Sequence, residues 1–420
     1  MAPVKRFPFR HPDPQHTANT FRPNQHRTAP QPMPTRPVPT CRSAARVNFS
    51  PLLTHVALVS VWPIAMSFLS AMPFVTAALA QDATPARLDP CPDGGFSVVV
   101  IPDTQAYVGG PTEESAPAST TSTPVTNPIF QAHVDWVIAN LDSQKIAFVS
   151  HVGDIVDLNI PQQWGVARDC MDRLHGKVPY GISVGNHDMT TDGDSSLFQK
   201  HFPASRFVPF DWYGGHFEGS PLGTQVSGNN ANSFQLFSAG GLDFVFLHLE
   251  CNAPDDVVAW ANGVLDEFDD RLALITCHMG WGPRVKPTRP EGFVTDEKGR
   301  MTWSKIHGPR ANTPQQLWDK CYRRHPNLIA VFSGDQSRTQ AYKAVSIGDH
   351  GNPVHEFMQD YGVGFLRLYR FTPTPDKLQV QAITLHSGTG DLCRGVPRVP
   401  DPAQHQFTFE LPIPALANSR

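Results

Sequence analysis

The chain has 420 residues, with 34 Lys and Arg against 38 Asp and Glu and a formal net charge of −4. Charge is unevenly spread: residues 81–420 hold 26 basic and 37 acidic side chains, a net of about −11. That balance argues against a nucleic-acid backbone as partner, which needs clustered Lys and Arg, and it suits a site that concentrates cations.

Residues 1–50 carry ten prolines and eight Lys or Arg against the single acidic Asp13, with no apolar periodicity. They read as a disordered Pro/Arg-rich extension. Residues 51–80 contain no Lys, Arg, Asp or Glu and end in "ALA" before Gln81. A basic flank, an apolar run and a small-residue exit describe a signal peptide, and thus export to the periplasm or medium. The alternative is an uncleaved membrane anchor, since about twenty residues span a bilayer. Residues 81–95 read as a linker, 96–390 as one domain and 391–420 as a C-terminal tail. Six of the seven cysteines lie beyond residue 80, which permits disulfides after export; Cys91 and Cys393, near the two ends of the domain, are the first pair to consider. No CxxC spacing is present, so a cysteine zinc site is not expected.

Along the domain, buried-strand runs alternate with helical stripes. "FSVVVI" (96–101) and "IAFVS" (146–150) read as strands, with helices over 129–141 and 163–174. "PYGISV" is a third strand. "DFVFLHL" (243–249) and "LALITC" (272–277) flank a helix over 256–268. Thr313 and Pro314 look like the cap and first position of a helix through His325. "NLIAVFS" (327–333) follows, and "FLRLYRF" and "KLQVQAITL" around "TPTPD" read as a hairpin. The expected class is α/β. Three long loops, 109–128, 190–230 and 279–312, each follow a strand end where open α/β sheets bind ligands.

Chemistry gathers at those strand ends. "PDTQ" gives Asp103 and Gln105, "GDIVD" gives Asp154 and Asp157, "GNHD" gives Asn186, His187 and Asp188, and "CHMG" gives His278. Each case alone is also ordinary turn or cap chemistry. Four in series point to one site.

In these motifs the chain resembles the calcineurin-like metallophosphoesterases, over roughly residues 96–383. Their signature runs D-x-H, G-D-x-x-D, G-N-H-D or G-N-H-E, a lone His, then G-H-x-H. "PDTQ" is similar to a secreted bacterial branch of that family with Gln in the first motif, and "NPVHEFMQDYG" has a family look without an assigned role. The resemblance implies a sandwich of two mixed β-sheets flanked by helices. It implies a binuclear centre of two divalent or trivalent ions (Fe, Mn or Zn) that hydrolyses a phosphomonoester or phosphodiester through a metal-bound hydroxide. Asp154 would bridge the ions, Asp103 would hold the first, and Asn186 and His278 the second. His187 would contact the phosphoryl oxygens and protonate the leaving group, with Asp157 fixing its tautomer and Asp188 structural. The partner implied is a small phosphate ester.

The chain departs from the signature at two places. "GDQS" stands where the family has G-H-x-H, so Asp335 and Ser337 occupy histidine positions, and Gln105 replaces a histidine at the first ion. Asp335 could still bind the second ion and Gln105 the first; Ser337 is a weak ligand. The alternative reading is a catalytically impaired phosphate- or partner-binding protein on the same fold. His151, His350, His355 and His386 could compensate, although each is also an ordinary surface or core histidine. Trp212, Trp281 and Trp303 in the long loops could line a substrate rim or simply pack there.

Overall fold

Alternation within one strand shows how the layers form. In β1 (Phe96–Ile101), Val98 and Val100 join a cluster between two sheets, while Val99 and Ile101 join a cluster on the opposite face. The computed structural model describes residues 88–110 and 124–412, so the extension 1–50 and the apolar stretch 51–80 lie outside the described residues.

β1 is followed by β2 (Ile146–His151), β3 (Tyr180–Ile182), β4 (Tyr213–His216), β5 (Ser233–Ala239), β6 (Leu242–Leu249) and β7 (Leu272–Cys277). Next, β8 (Trp281–Pro283) and β9 (Lys298–Arg300) pair as a small antiparallel ribbon inside the 279–312 loop. The chain then forms β10 (Leu328–Ser333), β11 (Ala341–Ile347), β12 (Pro353–Gln359), β13 (Phe365–Pro373), β14 (Lys377–His386) and β15 (Gln406–Pro412). The first sheet has the order β15-β14-β13-β1-β2-β3 and the second β11-β12-β10-β7-β6-β5-β4. Both are mixed: β1, β2 and β3 are parallel, as are β6, β7, β10 and β12, while antiparallel strands complete the β15 side of the first sheet and both edges of the second.

Phe148, Phe244, Phe246, Phe332 and Tyr369 fill the space between the sheets. Helices Pro128–Ala139 and Pro161–Asp172 pack Phe130, Val134 and Trp164 on the first sheet's outer face. Helices Asp255–Glu267 and Pro314–Lys320 do the same for the second through Val257, Leu265 and Leu317. The result is the expected arrangement, two mixed sheets flanked by helices. Near the site, polar groups tie one sheet to the other. Ser150 Oγ of β2 meets His248 Nε2 of β6 at 3.0 Å and Thr276 Oγ1 of β7 at 2.8 Å. This row fixes the loops after β2 and β7 relative to each other.

Several boundaries differ from the sequence reading. The helix expected through His325 keeps its Thr313 capping box but ends at Lys320, because Cys321 leaves helical geometry before a 3-10 turn at Tyr322–Arg324. The segment beyond residue 390 is no mere tail, since β15 pairs with β14 as an edge of the first sheet. Cys91 and Cys393 are not bonded; all six cysteines of the described residues are free and buried. Cys91 lies beside Gly95, at the Phe371 end of β13, whereas Cys393 bonds Thr384, opposite Arg367. Four residues of strand separate those points by ~13 Å, beyond disulfide reach. Among the described residues, no helix is long and apolar enough to cross a membrane.

Burial also sets an acid limit. Burial pulls the imidazoles of His133, His151 and His248 down to about 3. The folded chain keeps them neutral, whereas the unfolded chain protonates them near the ordinary value of about 6.5. Their contribution is therefore fully present above about pH 6.5 and is lost progressively toward pH 3. The denaturation midpoint is expected to fall steadily between pH 6.5 and 4; a flat profile there would contradict neutral burial.

Candidate metal centre

Glycines let two loops touch. Gly153, at φ +104°, and Gly185 lie back to back, and a Cβ on Gly185 would sit 2.1 Å from the Asp154 nitrogen. Only a chain without side chains there brings "GD" and "GNHD" together. Asp188 sews the contact. One carboxylate oxygen accepts from the Ile155 and Val156 amides (2.9 and 3.1 Å), and the other accepts from Gly185 at 2.8 Å. Asp154 and Asp335 both adopt left-handed backbone, at φ +49° and +73°. Each such non-glycine residue costs about 1–3 kcal/mol, and both point at the same place.

That place is a buried group of Asp103, Asp154 and His278, whose ligand atoms all lie within 4.8 Å of one another. Asp103 Oδ2 accepts the Asp335 amide at 3.1 Å, while its Oδ1 is buried without a hydrogen-bond partner. His278 donates Nδ1–H to the Val152 carbonyl at 3.0 Å, since a carbonyl can only accept. Its Nε2 therefore faces Asp154 Oδ1 at 3.1 Å and Asp335 Oδ1 at 3.5 Å. A lone pair turned toward carboxylate oxygens needs a proton or a cation between them. Protonation responds accordingly. Burial opposes charge on His278, but Asp154 and Asp103 outweigh it and raise the imidazole well above its usual range. Burial likewise opposes charge on Asp154, yet His278 holds that carboxyl below its ordinary value. Burial and the charge of Asp360 push Asp103 well up. An orphaned buried oxygen, an inward imidazole nitrogen and crowded carboxylates together fit a divalent cation.

The other expected residues fall around this group. His187 donates its amide to Asp154 Oδ1 at 2.9 Å, and its Nδ1 lies 2.7 Å from the Asp157 backbone carbonyl. Asp157 thus reaches the ring through its main chain, putting the proton on Nδ1 and the second ring nitrogen toward other partners. Asn186 Oδ1 and Asp335 Oδ1 both accept from Lys305 Nζ, the former at 3.1 Å. Gln105 is half-buried in the loop after β1, its carbonyl accepting the Tyr107 amide. Ser337 is exposed.

The compensating histidines serve elsewhere. His151 Nδ1 accepts the Gly153 amide at 3.1 Å and its Nε2 meets Thr104 Oγ1 at 3.1 Å. His350 bonds the Arg324 carbonyl, His355 stacks on Phe409, and His386 packs edge-on against Phe365. Trp212 and Trp281 are packing residues, against Phe210 and Tyr342 respectively. Trp303 differs: with Lys286, Phe293 and Arg338 it lines a cavity of about 230 Å³ that meets the site at Lys305 and Asp335.

Sequence reasoning missed two residues. Asp360 follows β12, its carboxyl within hydrogen-bonding reach of Asp103, and burial together with Asp154 raises it to about 7. Reading "PVHEF" as a strand would have exposed it by the same strand-end pattern. Lys305 arrives from the 279–312 loop; burial opposes its charge, but Asp335 and Asp154 outweigh that and raise it above its ordinary value. No local signal marks it.

Fold and site together define the chain's class: an α/β protein of two mixed sheets flanked by helices, with a buried metal-capable Asp–Asp–His group at the strand ends. No family model matches it. It is 27% identical over 316 residues to the uncharacterized protein YvnB of Bacillus subtilis. The match covers 72% of this chain and 20% of YvnB, so the chain spans about a fifth of that relative's length. Similar solved structures include a 5'-nucleotidase precursor from Thermus thermophilus, with TM-score 0.37 and 13% identity over 77% of this chain and 55% of that one. Haemophilus influenzae NAD nucleotidase (NadN) has TM-score 0.36 and 11% identity over 67% and 53%. The Thermus thermophilus sulfate thiohydrolase SoxB has TM-score 0.38 and 10% identity over 79% and 59%.

Proposed function

We propose that the protein is a metal-dependent phosphoesterase acting on a phosphomonoester or phosphodiester, and that it is exported. The observation that carries the activity is the Asp103–Asp154–His278 group, buried and aimed at one point, with His187 on the same carboxylate. Asp103, Asp154 and His278 would hold a divalent ion, which supplies positive charge to the phosphoryl oxygens and activates a water for attack.

The chain's own residues do the rest. His187, oriented through Nδ1 by the Asp157 carbonyl, is suited to carry a proton on Nε2 to the leaving oxygen. Lys286, Lys305 and Arg338 give the adjoining cavity three positive charges for an anionic ester, while Phe293 and Trp303 offer it an apolar wall. Asp188 holds the two catalytic loops in register. The competing reading, a phosphate- or partner-binding protein without turnover, draws on Ser337 and Gln105 at histidine positions.

The test is release of p-nitrophenol from p-nitrophenyl phosphate and bis(p-nitrophenyl) phosphate by chelator-stripped protein as Mn²⁺, Zn²⁺ or Fe²⁺ is returned. Turnover that appears with metal and stops with chelator is expected. Phosphate binding without turnover under every metal would favour the binding-protein reading.

A further inference from the structure

We propose that the Lys305 ammonium is a built-in cation of this site, taking the place of the second metal ion, so that the chain works with one ion and one ammonium. This rests on the phosphoesterase reading and concerns how its site is charged.

Three observations converge. First, Nζ binds Asn186 Oδ1 at 3.1 Å and Asp335 Oδ1, and these are two of the groups expected to hold the second ion. The same Asp335 oxygen lies 3.5 Å from His278 Nε2, a third member of that expected set. Second, the lysine is delivered by fixed backbone rather than by a drifting surface loop. Asn252, fully buried at φ +56°, accepts the Lys305 amide at 2.9 Å and the Ile306 amide at 3.3 Å. Its own amide donates to the Asn312 carbonyl at 3.1 Å, tying the end of the loop to the same point. Third, the donor set has changed in a matching way. Asp335 stands where the signature has a neutral imidazole, and a carboxylate partners an ammonium better than an imidazole does. That exchange of a neutral ring for a carboxylate adds one negative charge at the second position, which a fixed ammonium can balance.

The arrangement has a chemical use. An ammonium has three donors; Asn186 and Asp335 take two, and Lys305 also lines the 230 Å³ cavity. A phosphoryl oxygen entering from the cavity meets a fixed positive charge that needs no metal to be present.

The experiment counts ions on the full chain. Chelator-stripped wild type and Lys305→Met are titrated with Mn²⁺ or Zn²⁺ by calorimetry, and bound metal is measured by elemental analysis after dialysis. Wild type is expected to bind one ion and Lys305→Met two. Lys305→Gln, which also removes the charge, should bind two and replaces the Met variant if that fails to fold, whereas Lys305→Arg, which keeps the charge, should stay at one. With one equivalent of metal, inorganic phosphate should bind Lys305→Met roughly tenfold more weakly than wild type. Two ions on wild type, or one on both wild type and Lys305→Met, would overturn the proposal while leaving the phosphoesterase reading intact. No ion on any of the chains, with no ester hydrolysed, would remove that reading as well.

Discussion

Replacing His187 by alanine is expected to lower kcat on an alkyl phosphate roughly 10²–10⁴-fold while leaving the bound metal in place. The imidazole is outside the Asp103–Asp154–His278 group, and its link to Asp154 runs through the backbone amide, which alanine retains. The proton donor is lost, together with the ring's bond to the Asp157 carbonyl. The effect should shrink on p-nitrophenyl phosphate, whose leaving group departs without a proton. Steady-state kinetics on both esters, with metal analysis of the same samples, checks this. Equal losses on the two esters would assign His187 to binding instead of proton transfer.

Asp154→Asn should fail differently. Asparagine tolerates the left-handed backbone at this position and keeps an oxygen for the His187 amide, so the loop is expected to fold. It cannot supply the negative charge that faces His278 Nε2 at 3.1 Å. Loss of an outer partner of a metal ligand costs about 10–100-fold in affinity, so loss of this central ligand should cost at least about a hundredfold. Calorimetric titration with Mn²⁺ or Zn²⁺ is the measurement. Unchanged affinity would move the ion away from Asp154 and with it the proposed site.

Much of this was legible because buried parallel strands announce themselves. β1, β2, β7 and β10 are apolar runs that end in Asp103, Asp154, His278 and Asp335, so the strand pattern located the chemistry. β12 escaped because its buried positions include His355, Glu356 and Gln359, polar residues whose burial depends on tertiary contacts such as Arg300 to Glu356. With the strand unread, Asp360 at its end stayed hidden. Lys305 was invisible for another reason: its place depends on Asn252, 53 positions earlier, gripping the loop backbone. The cysteine pairing failed because nearness to the ends of a domain says nothing about position along a strand; Cys91 and Cys393 sit at different levels of β13.

The central claim is that this site adds water to phosphorus. Hydrolysis of an alkyl phosphate by the metal-loaded chain in ¹⁸O-water, with mass analysis of both products, tests it most directly. One ¹⁸O atom in each phosphate released, and none in the alcohol, is the predicted result. Label in the alcohol, or no phosphate released under any metal, would contradict it.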